Sequence, residues 1–218
     1  MTDAMVEASK LVDRQTIREL VENSLIWRDA RMWDRLLDVW HPDGVMMTTW
    51  FQGTIAEFIA ANKTSYEKGF RTLHFIGGLS IDVSGNRAIS QAKTTVSQRD
   101  VLGRVLCDVT CTTRFYDFVE RRHGRWGLVL RQPIYEMDRL DPVDPAANLV
   151  LDRKLLERFP EGYRHLGYLQ TQNGYDVKMD MPGSDGPEVE ALYARGAAWL
   201  AGKPLLRAHS VQGRRTPA

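Results

Sequence analysis

The chain has 218 residues, 43% of them hydrophobic and 26% charged, with a formal net charge of +1. This is a globular composition, long enough for one good core plus an appendage. The charge balance leaves no basic stripe for nucleic acid, and no apolar run reaches the length of a bilayer span. Met1–Lys10 carries Asp3 and Glu7 and lacks the apolar region of a signal peptide, so a cytoplasmic location is expected by default.

In chain order, Asp13 reads as an N-cap. Ile17, Leu20, Val21, Leu25, Trp33, Leu36 and Leu37 recur at helical spacing and predict a helix from Arg14 to about Trp40. His41-Pro42-Asp43-Gly44 predicts a turn, and Val45 to Phe51 a short strand. After Gly53-Thr54, Ile55, Phe58, Ile59 and Tyr66 share one side of a second amphipathic helix, Ile55 to Lys68. A strand follows from Phe70 to about Val83. Ser84-Gly85-Asn86 turns into Ala88 to Asp100, Gly103 separates that from Arg104 to Glu120, and Arg122-His123-Gly124 leads into Arg125 to Asp138. Helices early and a meander of long strands late predict an α+β domain over residues 1–139, its curved antiparallel sheet wrapped around the helices.

Residues 140–218 read as an extension. Leu140 to Pro145 is a proline linker, Leu149 to Arg158 a short helix, Phe159 to Gly183 aromatic but irregular, and Glu188 to Ala201 a helix with Val189, Leu192 and Trp199. Too few apolar residues are present for a separate core. An arm packed on its own domain or on a neighbour's is expected.

Two ionisable residues stand out of place. His74 lies in Phe70-Arg71-Thr72-Leu73-His74-Phe75-Ile76-Gly77-Gly78, where strand alternation puts Thr72, His74 and Ile76 on one face and Leu73 and Phe75 on the other. A buried histidine satisfied by a backbone partner is the bland reading. Asp29 falls between Leu25 and Trp33 on the apolar stripe of the first helix, and a charged group is seldom buried without a partner. A helix break near Ala30 would instead swing it out to solvent.

In Arg104 to Glu120 the odd positions Val105, Cys107, Val109, Cys111 and Phe115 are apolar, and the even positions Asp108, Thr110, Thr112 and Arg114 mostly polar. Either the polar face is solvated, or it lines a pocket while the apolar face meets another subunit. The second option predicts a homo-oligomer, dimer or trimer. The two cysteines, Cys107 and Cys111, point in parallel and read as packed thiols rather than a disulfide or metal pair. The five histidines, 41, 74, 123, 165 and 209, show no metal-ligand spacing. Neither a GxGxxG nor a P-loop is present, so the side chains of a cavity would have to supply the chemistry. Arg131 is a candidate to hold a phenolate or carboxylate in that cavity, and an exposed strand arginine is its plain alternative. Trp50, with Phe51 and Met46, would make an aromatic wall for a ring-bearing ligand, or simply core packing.

The segments Trp27 to Leu37 (WRDARMWDRLL) and Phe70 to Gly78 (FRTLHFIGG), with the layout around them, resemble the SnoaL-like group of the nuclear-transport-factor-two superfamily. Over Asp13 to Asp138 the chain looks most like scytalone dehydratase and, more distantly, bile acid dehydratase and lindane dehydrochlorinase. The resemblance implies a cone-shaped cystatin-like fold and places Asp29 and His74 on the catalytic dyad those enzymes share. It also implies departures. Ser97 stands where scytalone dehydratase has a second histidine, Thr110 and Thr112 where it has a serine and an asparagine, and Arg28 where it has a tyrosine. The extension is similar to those of bacterial SnoaL-like proteins of aromatic breakdown, among them a diarylpropane lyase that expels formaldehyde.

These features predict a cofactor-independent lyase that removes water or formaldehyde from a hydroxylated aromatic or polyketide-like molecule. His74 would be its acid/base and Asp29 the partner that fixes the tautomer. Ser97, Thr110, Thr112, Arg131 and Trp50 would line its substrate site. The alternative is a non-catalytic ligand-binding or assembly subunit of the same fold.

Overall fold

The computed structural model describes residues 3–205; His209 lies outside them. Helix α1 spans Asp3–Asp29, α2 Trp33–Asp38 and α3 Ile55–Glu67, and strands β1 to β6 span Trp40–Met47, Gln52–Thr54, Arg71–Ser84, Arg87–Leu102, Val105–Arg122 and Arg125–Pro142. Beyond the sheet come α4 (Arg153–Leu156), a short 3-10 turn, α5 (Arg164–Gln172) and α6 (Pro187–Leu200).

The strands form one curved, unclosed sheet in the order β2-β1-β6-β5-β4-β3. Its pairs are antiparallel except β1 with β6, which run parallel. The expected curved antiparallel sheet is thus present, with β1 and β6 as its one parallel pair. The predicted His41–Gly44 turn is corrected: these residues lie within β1, where the register against β6 shifts between Trp40 and Val45. A second shift, between Ile76 and Leu79, falls on Gly77-Gly78 and bends the edge strand β3.

The concave face closes over α1 and α3. Ile17, Val21 and Leu25 of α1 and Ile55, Phe58 and Ile59 of α3 bury against Ala88, Ala92, Phe115, Val119, Trp126 and Leu128. Asp13 is not a cap but lies inside α1. Its carboxylate accepts from Trp126 Nε1 at 2.8 Å and Arg121 Nη1 at 3.1 Å, tying the helix to the far end of the sheet. Thr54 caps α3 in a reciprocal box with Glu57, which offsets two unpaired N–H groups at the helix start.

The extension packs on the sheet of its own chain. Phe159, Tyr163, Leu166 and Leu169 cover Cys107, Val109, Cys111 and Tyr135, while Val189, Leu192 and Trp199 of α6 cover Ile89, Phe118 and Ile134 elsewhere on the sheet. The apolar stripe of β5 thus meets this chain's own α5, which removes the reason for invoking a second subunit there. Cys107 and Cys111 are buried free thiols, with burial raising both pKa values. Helix α5 lies in the stretch read as irregular. At nine residues it is too short to repeat its period.

The fit between extension and sheet is close. A Cβ added at Gly162 would sit 2.4 Å from the Tyr135 carbonyl oxygen, a backbone atom that cannot turn aside. Gly162→Ala is expected to lower stability by about 1–3 kcal/mol, read as a fall in the urea midpoint. An unchanged midpoint would mean that residues 159–181 are only loosely docked.

Candidate active site

The site begins where α1 ends. Asp29 is the last residue of that helix, and Arg31, two residues on, takes a φ of 60° before α2 starts at Trp33. The helix break therefore exists, but it falls just past Asp29 and leaves the carboxylate in the last helical turn, facing the sheet. Its Oδ1 accepts from His74 Nδ1 at 2.7 Å and its Oδ2 from the His74 backbone N–H at 2.7 Å. That backbone donor is available because β3 is an edge strand with no neighbour on its outer side. One carboxylate thus holds both the strand and the ring.

A carboxylate on Nδ1 requires the proton to be there, leaving the Nε2 lone pair as an acceptor. Arg28 Nη1 donates to Nε2 at 2.8 Å, and Arg28 Nε donates to Asn62 Oδ1 at 3.2 Å. The guanidinium also lies over the Phe58 ring, 5.0 Å from its centroid. The His74 side chain is 1% exposed. Burial, reinforced by the charge of Arg28 and opposed by Asp29, holds its pKa down at about 4. It is a neutral base whose acceptor nitrogen has a cation resting on it.

This group borders a cavity of about 70 Å³, room for roughly five waters. Arg28, Asn62 and Tyr66 line it from the helices, Thr72, His74, Val96 and Phe115 from the sheet, and Thr49 and Trp50 from the turn after β1. The extension closes the rest with Leu166, Gln170 and Tyr175. Thr49 Oγ1 donates to Gln170 Oε1 at 2.7 Å, and Tyr175 and Ser65 share a hydrogen bond of 2.7 Å between their hydroxyls. The cover of the cavity therefore comes from this chain.

Of the residues expected at the site, the structure brings together His74, Asp29 and Trp50. Ser97, Thr110 and Thr112 are elsewhere. Ser97 pairs with Leu73 and Thr110, and Thr112 pairs with Thr95 and Met137, on the outer face where Leu73, Phe75 and Met137 are exposed. Strand alternation decides this, because their neighbours Val96, Cys111 and Thr113 take the inward positions. Arg131 is neither in the cavity nor exposed. It is buried against Asp117, with Nε to Oδ1 at 2.7 Å and Nη2 to Oδ2 at 2.8 Å, and its Nη1 donates to Ser24 Oγ at 3.0 Å.

Sequence reasoning passed over Asn62, Tyr135, Gln170 and Tyr175, and named Arg28 only as a departure. Asn62 carried the same signal as Asp29: a polar residue in phase with Phe58, Ile59 and Tyr66 on the buried side of its helix. Gln170 and Tyr175 carried none.

A curved sheet around N-terminal helices, with an Asp–His pair at a cavity between them, defines the class. A SnoaL-like domain family matches residues 9–132, and the chain belongs to that family. It is 34% identical over 209 residues to Pea pathogenicity protein 2 of Fusarium vanettenii, covering 90% of this chain and 89% of that protein. It is also 34% identical over 190 residues to an uncharacterised protein of Aspergillus terreus, covering 79% of this chain and 70% of that one. Among solved structures, hexachlorocyclohexane dehydrochlorinase (LinA) type 2 superposes with a TM-score of 0.55 at 15% identity, over 67% of this chain and 98% of that one. A protein of Novosphingobium aromaticivorans provisionally assigned as scytalone dehydratase gives 0.53 at 16% identity, over 66% and 99%. The fold is thus shared with an enzyme named for an elimination reaction. Among the described residues no helix is long and apolar enough to cross a membrane, and no group of three or more His, Cys, Asp or Glu is placed to hold a metal ion.

The burial of His74 has a consequence for stability. In the unfolded chain its pKa is about 6.5, against about 4 when folded. Between those values the unfolded chain binds the extra proton, so stability falls as pH drops from 6.5 toward 4. This one group contributes up to about 3 kcal/mol of that loss. Urea unfolding followed across that range should show the decline, and His74→Gln should flatten it. Equal slopes in the two proteins would mean that His74 is protonated freely in the fold.

Proposed function

We propose that the protein is a cofactor-independent lyase in which His74 is the general acid/base and Asp29 its partner. Its substrate is a hydroxylated aromatic molecule, and the leaving group is water or formaldehyde. The observation that carries this reading is the 2.7 Å contact from Asp29 Oδ1 to His74 Nδ1 at the edge of a cavity with aromatic walls. With Nδ1–H committed to Asp29, Nε2 is the only ring position able to take a proton, and the carboxylate stabilises the imidazolium that results.

For dehydration, Nε2 removes a proton from the carbon beside a conjugating group. The C–H electron pair becomes the new double bond. The C–O bond breaks with its own pair, and the departing oxygen takes the proton back from His74 and leaves as water. For formaldehyde release, Nε2 removes the hydroxymethyl O–H proton. That oxygen closes to the aldehyde as the C–C pair moves into the conjugated system, which must expel a group or gain a proton in turn.

The test is incubation with a panel of diaryl and β-hydroxy aromatic compounds, scored for formaldehyde and for absorbance of newly conjugated product. Turnover of at least one compound at a rate above that of the His74→Gln protein supports the reading. Binding without turnover across the panel, its carboxylate-bearing members included, overturns it. One observation favours a second reading, a non-catalytic ligand binder: the lone pair of the base is already occupied by Arg28. In that case His74→Gln would leave ligand affinity and biological role intact.

A further inference from the structure

Arg28 is a half-buried cation whose hydrogen-bond partners are neutral. Among the described residues no carboxylate lies within ion-pair distance of it, because the adjacent Asp29 is spent on His74, and the atoms that accept from Arg28 belong to Asn62 and the neutral His74 ring. Loss of hydration lowers its pKa, opposed by the neighbouring charge of Asp29. A guanidinium nonetheless keeps its proton in proteins. Its Nη2 makes no hydrogen bond to any described residue, while Nε and Nη1 are held, so the donor left over is on a side chain that lines the cavity. Around it stand Trp50, Tyr66, Phe115 and Tyr175, walls that suit a ring.

We infer that Arg28 is the anion receptor of this cavity and the gate of its base, so that the ligand is an aromatic carboxylate whose arrival draws the guanidinium away from His74 Nε2. This deepens the lyase reading and rests on it for the role of the freed nitrogen, although the binding half stands without it. A carboxylate presents two oxygens to the planar fork of an arginine and supplies the direct ion-pair partner that Arg28 lacks among the described residues. A neutral ligand supplies neither and leaves Nη1 where it is. The gate therefore acts as a selector, since the base becomes available only to molecules that carry the anion.

The consequence for His74 has a definite sign. The charged groups acting on it are Arg28 and Asp29 from α1 and Arg131 from β6. Of these, Arg28 and Arg131 hold its pKa down, so a bound carboxylate that neutralises Arg28 raises it.

The experiment uses full-length protein with isotopically labelled histidine, titrated with benzoate and with benzamide, its neutral analogue of the same shape. In the wild type benzoate is expected to bind at least about tenfold tighter. It should move the His74 Nε2 resonance and raise the His74 titration midpoint, and benzamide should do neither. In Arg28→Gln the two ligands should bind alike, with retained benzamide binding showing that the cavity is intact. Arg28→Lys, which keeps the charge without the fork, should hold an intermediate preference. The His74 signal keeps the readout local, because Arg87, Arg122 and Arg195 line a separate hollow beside α6 that offers benzoate another place to sit. Equal binding of the two ligands to the wild type overturns the inference, as does a benzoate preference that survives in Arg28→Gln or a His74 resonance indifferent to benzoate. If the lyase reading alone is wrong, the benzoate preference and its effect on His74 persist while no compound is turned over.

Discussion

Replacing His74 by Gln is expected to lower turnover of any compound that the wild type converts by about a hundred- to ten-thousand-fold, the range that positioned general acid–base catalysis contributes. Gln is close in size and keeps the backbone N–H that Asp29 Oδ2 accepts, so the strand stays anchored to α1. It cannot carry a proton through a reaction cycle. Asp29→Asn should cost a similar factor by a different route. An amide turned toward Nδ1 donates where the carboxylate accepted, which moves the ring proton to Nε2 and leaves no lone pair facing the cavity. The two losses should not add, since each removes the same functioning pair. Steady-state rates of both single variants and the double variant decide the matter. Losses that multiply would show two independent contributors and break the link between these residues.

Asp117→Ala is expected to lower the free energy of unfolding by about 3–5 kcal/mol, because it strands a buried guanidinium without its counter-ion. Asp117 is 0% exposed and Arg131 2%, directly opposite one another on β5 and β6. The pair is bidentate, and the third donor of Arg131 is satisfied by Ser24 on α1, so the network clamps helix to sheet. Arg131 also lies over the Phe115 ring at 4.9 Å. Removing both charges, with Asp117→Leu and Arg131→Met together, should recover most of the loss, since an apolar pair of similar volume avoids the desolvation cost. Urea unfolding monitored by tryptophan fluorescence measures all three proteins. A single-variant loss below about 1 kcal/mol would place the pair in contact with water.

The Arg131 result shows how far strand patterning reaches. Asp117 sits in phase with Val109, Cys111, Phe115 and Val119, the inward positions of β5. It was therefore as out of place as Asp29, and it was the missing partner of Arg131. The logic that located the Asp29 carboxylate locates this one when applied to every strand. The same alternation, followed through the register, also sends Ser97, Thr110 and Thr112 outward, whatever residues relatives carry at those positions.

The α3 helix and the long strands were legible from the sequence because their signals are local: a capping box, tight turns, and apolar periods of 3.6 and 2. Asp29 and His74 were legible for a related reason, since each breaks the apolar pattern of its own element and a buried polar group demands a partner. Tertiary structure alone decided what those residues meet. The parallel pairing of β1 with β6, the folding of α5 over the cavity, and the seating of Arg28 on Nε2 all join residues far apart in the chain, and no local period encodes such contacts. Sequence by itself determined which side chains had to be satisfied in the interior, and packing in three dimensions determined by whom.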